Sequence, residues 1–252
     1  MRITYTMRAE ELLHRTIKYE QPKIHKYRLN SLFLGCKSLL SGERLSVTAL
    51  GRNLAHTAKV RSCVKRFDRL LSNPRMHRDL PNIYSVLADI VLNGSSQPWI
   101  HIDWSCVSVI NQLYVLRACV SVKGRGITLY EEVYPKANEH SPPTHSRFLE
   151  QLKAQLPPGI RPVIVTDAGF RSAWFKNVLE IGWDFVGRVR NKNVVKFEDD
   201  NWVSTKSLYE RATTKPSKLG CGLLTRRLQV PCQFVAFKKA LRNRKVLTKR
   251  KE

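Results

Sequence analysis

The sequence contains no apolar run of the ~18–20 residues that a membrane-spanning helix needs, and residues 1–20 hold no apolar stretch of the signal-peptide kind. A soluble, cytoplasmic chain is expected. None of the cysteines, at positions 36, 63, 106, 119, 221 and 232, forms a Cys-x-x-Cys pair. That argues against a zinc finger or ribbon and leaves them as reduced core residues. Acidic side chains are scarce: 20 Asp+Glu stand against 44 Lys+Arg, a formal net charge of +24. A charge this large repels itself in the folded state until a polyanion neutralises it. Nucleic acid is therefore the first expected partner, and an anionic membrane surface the second. Internal repeats are also missing, as is a Gly-x-Ser-x-Gly nucleophile motif.

What is present is enough for one large domain or two modest ones: 252 residues, 42% of them apolar. The positive charge is spread along the chain. Residues 1–97 carry 17 basic and 7 acidic side chains, residues 98–237 carry 19 and 12, and residues 238–252 carry 8 and 1. That last stretch has little to bury and is expected to be disordered when free, tracking phosphates when DNA is near.

Residues 1–92 read as helical. Leu29, Leu32, Phe33, Cys36, Leu39 and Leu40 recur at three- and four-residue steps, the period of a helix with one buried face, and Gly42 follows as a stop. Ser46 is placed to cap a short helix with Leu45, Val47 and Leu50 as its apolar contacts, loosened at its end by Gly51 and Asn53. A second helix fits Val60, Val64, Phe67, Leu70 and Leu71, with Arg61, Lys65, Arg66 and Arg69 on its other faces and Asn73-Pro74 at its end. A short helix, a turn and a basic helix can present the second helix to a DNA groove, and they occur equally in ordinary helical bundles.

The pattern changes at residues 93–98, which are turn formers. Residues 99–105 alternate, with Ile100, Ile102 and Trp104 on one face and His101, Asp103 and Ser105 on the other. Strands at 113–122 and 127–134 follow, joined by a turn at residues 123–126. Gly124-x-Gly126 lacks the third glycine of a nucleotide loop and sits between strands, so it reads as a hairpin turn. A helix at 146–156, a buried strand at 161–166, a helix at 173–181 and a strand at 183–189 complete a β-β-β-α-β-α-β order. Residues 193–237 read as short strands and loops.

Two acids stand out. Asp103 lies inside the first strand and Asp167 at the carboxyl end of the fourth. With those strands adjacent, both project from one sheet edge, where ligands and catalytic groups gather. Paired carboxylates repel unless a cation lies between them, and Mg²⁺ prefers oxygen ligands. The residues alone leave two readings open: a metal site, or a strand-edge acid at Asp103 and a helix cap at Asp167. His101 shares the Asp103 face, as a metal or phosphate contact or as a solvated histidine. His140 and His145 flank Pro142-Pro143 in an expected loop. Trp174 and Phe175 serve either to stack on a base or to fill the core. Arg190 and Lys192 lie beyond a strand end, where they can hold phosphates.

Those features, with local strings, resemble a known family. Ile102-Asp103-Trp104-Ser105, Leu116-Arg117-Ala118, residues 126–131 and Val165-Thr166-Asp167-Ala168-Gly169-Phe170 are similar to the DDE-class cut-and-paste transposases of bacterial insertion sequences, as are residues 50–54 and 65–71 upstream. The resemblance spans roughly residues 25 to 237. It implies an RNase H-like core in an α/β fold, divided into a helical DNA-binding region at 1–92, a catalytic core at 98–192, a β-rich insertion at 193–237 and a basic tail at 238–252. It further implies that Asp103 and Asp167 are the first two catalytic, metal-binding acids. Mg²⁺ is the implied cofactor, with Mn²⁺ as substitute. The implied partners are double-stranded DNA, as element ends and target, and a second copy or a full-length transposase, with no membrane, at the bacterial nucleoid. DNA contacts are expected from Arg61, Lys65, Arg66, Arg69, Arg190 and Lys192.

The sequence departs from the family at the third acid, a Glu in a Tyr-Arg-Glu-Lys pattern. Tyr209-Glu210-Arg211 begins like it, but Ala212, Pro216 and Leu223 occupy the places of the Arg, Glu and Lys. A transposase polypeptide incomplete at its C-terminal side is expected, catalytically deficient. The alternative is a non-catalytic DNA-binding remnant that inhibits a full-length transposase. A stand-alone nuclease using Glu180, Glu198 or Glu210 as third acid is the least favoured reading.

Overall fold

A computed structural model describes residues 2–54, 58–189, 192–197 and 201–239, with side chains from residue 9 onward. The fold is mixed α/β. Contacts divide it into two compact units: Met1–Ser96 with Ile127–Glu131 and Gln151–Ile160, and Gln97–Gly126 with Glu132–Glu150 and Arg161–Glu252. Arg190, Glu198 and the basic stretch beyond Lys239 lie outside the described residues.

The first unit holds helices α1 (Arg2–Glu20), α2 (Lys26–Leu40), α3 (Val47–Asn53), α4 (Val60–Leu71) and α5 (Pro74–Leu92). Local chemistry sets their starts. The Ser46 hydroxyl accepts the Ala49 N–H at 3.2 Å to cap α3. Asn73 accepts the Arg75 N–H at 2.9 Å to open α5, with Pro74 in its first turn. The helices share a core that includes Ile17, Leu29, Phe33, Leu50, Phe67 and Ile83. A half-buried ion pair, Arg28 Nε to Asp79 Oδ2 at 2.7 Å, joins α2 to α5.

Two apolar stripes differ from the sequence expectation. On α2, Leu29 and Phe33 are buried, but Leu39 and Leu40 are exposed, and Gly35 and Ser38 take the buried positions. A Cβ on Gly35 would lie 3.2 Å from the Phe67 ring, so the contact face of α2 is made partly of small residues. On α4, Cys63 joins Phe67 and Leu70 in the core, while Val60 and Leu71 are exposed. Gly51 does not loosen α3. It is buried, and a Cβ there would meet Val64 Cγ2 at 2.5 Å and the Val64 backbone at 2.6 Å, so α3 and α4 touch almost backbone to backbone. Cys63 Sγ donates to the Leu54 carbonyl at 3.3 Å and ties α4 to the end of α3.

A five-stranded sheet has the order β3-β2-β1-β4-β5, with β1 (Trp99–Ser108), β2 (Leu113–Val122), β3 (Arg125–Pro135), β4 (Val163–Thr166) and β5 (Asp184–Gly187). Strand β1 pairs antiparallel with β2 and parallel with β4, so the expected adjacency of the first and fourth strands holds. Helices α6 (Pro142–Gln155) and α7 (Ser172–Glu180) stand in the expected chain order. Helix α6 begins four residues earlier than its apolar pattern predicts, because Pro142-Pro143 opens the helix rather than a loop. His145 is therefore helical. Phe148, Leu149 and Leu152 are its fully buried stripe. A second, four-stranded sheet, β7-β6-β8-β9, is built from β6 (Val194–Phe197), β7 (Val203–Ser204), β8 (Ser217–Leu224) and β9 (Val230–Ala236). Residues 205–211, read from sequence as part of a polar loop, form a 3-10 helix started by the Ser204 hydroxyl.

Candidate functional site

The alternation expected along β1 is observed: Ile100 and Ile102 are buried, and His101 and Asp103 exposed. The parallel register pairs Ile102 with Thr166. The next residue on each strand is an acid, so Asp103 and Asp167 stand side by side where β4 ends. Their proximity registers electrostatically. The Asp103 carboxyl is raised above the usual carboxylate range, first by partial burial and further by the charge of Asp167, against the lowering effect of the Trp104 N–H. Arg117, exposed on β2, is the cross-strand partner of Asp103 and brings a guanidinium to the same neighbourhood.

Each acid is oriented by its own backbone. The Trp104 N–H donates to Asp103 Oδ1 at 2.9 Å, and the Gly169 N–H donates to Asp167 Oδ1 at 2.7 Å. A Cβ on Gly169 would sit 2.8 Å from Asp167 Oδ1, so any side chain there would push the carboxylate from its place. The helix-cap reading of Asp167 is corrected here: α7 begins at Ser172, its cap position is Arg171, and no side chain caps it. Asp167 instead closes a tight turn ahead of the helix. Each acid thus has its Oδ1 engaged by a backbone N–H. Paired carboxylates beside the end of one strand suit a hard cation such as Mg²⁺. Among the described residues no three His, Cys, Asp or Glu side chains gather into a metal-binding group. Glu180 ends α7 facing Lys176 at 3.6 Å, and Glu210 lies in the 3-10 helix.

The histidines separate into different roles. His101 is exposed two residues before Asp103. His140 was assigned nothing from sequence, yet its Cε1 lies 3.6 Å from the Cβ position of Gly169, beside the Asp167 turn. It is held at φ 63°, and its Nε2 stands 3.8 Å from Glu139 Oε1. No local spacing signals this approach, which joins a loop to a turn 27 residues on. His145 is buried. Burial, helped by the charge of His140, lowers its pKa to about 4, so it is neutral at physiological pH. Its Nε2 accepts the Trp104 indole N–H at 3.2 Å, and its ring stacks on Phe170 at 5.4 Å between centroids. His145 thus grips the residue whose backbone holds Asp103. Of the two readings open for Trp174 and Phe175, base stacking or core, the core holds: both are fully buried, with Phe175 stacked on Phe185 at 4.5 Å. They belong to the core.

The cations expected to meet DNA are exposed where described. Arg61, Lys65, Arg66 and Arg69 all face solvent on α4, and Lys192 is exposed in a turn. Lys59, also exposed, precedes the first turn of α4, which contains no acid. No protein family, curated protein or solved structure matches the chain.

Proposed function

We propose that this chain is a DNA-binding polypeptide of the DDE transposase class with an RNase H-like core, whose Asp103 and Asp167 hold a divalent cation at the phosphodiester to be cut. The observation that carries this reading is the parallel β1–β4 register, which sets the two acids side by side at adjacent strand positions. The β-β-β-α-β-α-β order supports it, as does the raising effect of the Asp167 charge on Asp103. A bound Mg²⁺ or Mn²⁺ supplies activation of water or a hydroxyl and stabilisation of the leaving oxygen. The chain supplies position. Trp104 and Gly169 fix the carboxylates by their N–H groups, and Arg117 offers charge to a neighbouring phosphate. Arg61, Lys65, Arg66 and Arg69 neutralise the DNA backbone, releasing counterions.

Only two acids meet at this site among the described residues. A metal held by too few ligands is misplaced, and misplacement by about 1 Å costs on the order of 10²-fold in rate. The chain alone therefore binds DNA without detectable nicking or strand transfer. With no third ligand among the described residues, a second reading also stands, in which the same polypeptide occupies element ends and inhibits a complete transposase. The test is incubation with Mn²⁺ and a DNA fragment carrying candidate element ends, alone and mixed with an active related transposase. No cleavage alone and reduced cleavage in the mixture are expected. Asp103-dependent cleavage by the chain alone would contradict the incomplete-site reading and return attention to Glu180, Glu198 and Glu210.

A further inference from the structure

The hairpin that joins β1 to β2 is anomalous for this chain. One residue in four is charged overall, yet residues 104–116 contain no Asp, Glu, Lys, Arg or His. At its tip, Val109 is 73% and Ile110 93% exposed, with Val107 57% exposed on the strand below. Large β-branched side chains left in water at a loop tip call for a partner that buries them. The tip is also braced. Asn111 N–H donates to the Ser108 hydroxyl at 3.1 Å, and Gln112 Nε2 to the Val109 carbonyl at 2.7 Å. Lys136 N–H donates to the Gln112 carbonyl at 2.8 Å, anchoring the loop to the end of β3. A braced tip has little ordering entropy left to lose on binding.

Charge selects the occupant. A second copy of a +24 chain is repelled, and three side chains fall far short of the ~800 Å² per partner of a stable interface. Residues 238–252 hold only Ala240, Leu241, Val246 and Leu247 as apolar side chains, scattered among eight Lys and Arg, too few to cover the tip. A membrane-lying segment sets Lys and Arg beside its apolar residues; here the neighbouring Lys136 is turned onto the Tyr114 ring at 4.3 Å and bonded to Glu139, and no cation stands within residues 104–116. A group that enters a base stack must be apolar and uncharged, while phosphate contacts are made elsewhere on the protein.

We infer that the β1–β2 hairpin tip is a wedge for duplex DNA, with Val109 and Ile110 entering a base step and unstacking it. The inference rests on the DNA-binding reading above and adds where and how the duplex is deformed. Ile110 follows Asp103 by seven residues on the same strand and its loop, which reach no more than about 23 Å. The opened step therefore lies within about seven base steps of the phosphate at Asp103.

The test compares the intact chain with Val109→Ser/Ile110→Ser, on duplexes carrying 2-aminopurine at successive positions. Both side chains are exposed, so folding is unaffected, as circular dichroism will verify. The intact chain should raise 2-aminopurine fluorescence at one step. The variant should lose that rise and bind about tenfold more weakly, with an unchanged salt slope, and a duplex with an abasic site should restore its affinity because the unstacking is already done. Binding by both proteins with equal affinity and no fluorescence rise would overturn the wedge and leave the DNA-binding reading standing. Absence of DNA binding by the intact chain at low salt would overturn both. Loss in the variant of self-association or of binding to anionic vesicles, with no fluorescence rise from the intact chain on DNA, would reassign the tip to a second copy or a lipid surface.

Discussion

The helical unit and the sheet unit place function in opposite ways. In the first, the groups proposed to meet DNA are spread over the outside of α4. Arg61, Lys65, Arg66 and Arg69 are all exposed, and each contributes a similar increment of charge. What is unforgiving there is the packing beneath, where Gly51 lets α3 lie against the backbone of Val64. In the sheet unit the relation reverses. The proposed function is concentrated in Asp103 and Asp167, each fixed by one backbone N–H and by a strand register that a shift of one residue would destroy. Recognition by many exposed charges tolerates substitution. Chemistry at two carboxylates does not.

The sharpest way to break this contrast is to attack the helical unit from inside. Gly51→Leu should cost at least about 4 kcal/mol, because the added carbons meet backbone that cannot yield. Urea denaturation measures it; a loss no greater than that of a surface substitution would contradict the close α3–α4 crossing.

The next largest effect belongs to His145. Its folded pKa of about 4 lies below its ordinary 6.5. Between these values the unfolded chain binds the proton more readily, so stability is fully present above pH 6.5 and falls as pH drops toward 4. The difference amounts to about 3 kcal/mol. His145→Gln keeps an acceptor for the Trp104 indole but does not titrate. Its stability profile over that window, followed by tryptophan fluorescence, should be flatter than that of the parent chain.

Asp103→Asn probes the acid pair without metal. A raised folded pKa means that ionisation of Asp103 opposes folding, so the variant should melt higher than the parent at neutral pH. The two should converge below the carboxylate range, where Asp103 is protonated in both states. Equal melting temperatures at pH 7 would show that the ionised Asp103 does not oppose folding. The smallest change in stability, within about 0.5 kcal/mol, is expected for Lys65→Ala/Arg66→Ala on exposed α4. In DNA binding that double variant should reduce the slope of log affinity against log salt by about 2.

Much of the fold could be read from the chain because its signals are local. Alternation along β1 set Ile100 and Ile102 inward and Asp103 outward, and the Ser46 cap and the β-β-β-α-β-α-β order followed from the same kind of pattern. Small residues carried the misreadings. Gly35 and Ser38 occupy the buried face of α2 where hydropathy pointed to Leu39 and Leu40, and Gly51 makes a helix contact rather than an end. Of the candidate site, the two acids were legible, since Asp103 falls on the outward face of an alternating strand and Asp167 directly follows the end of another. His140 and the Trp104–His145 bond were not, because they join segments 27 and 41 residues apart through side chains that no period relates.

The shared-cation claim is tested most directly by Mn²⁺ binding, followed by electron paramagnetic resonance, in the intact chain and in Asp103→Asn and Asp167→Asn. Either substitution alone should abolish the bound-ion signal, because the proposal has both carboxylates hold one ion. A signal that survives unchanged in both variants would show that these acids are not its ligands.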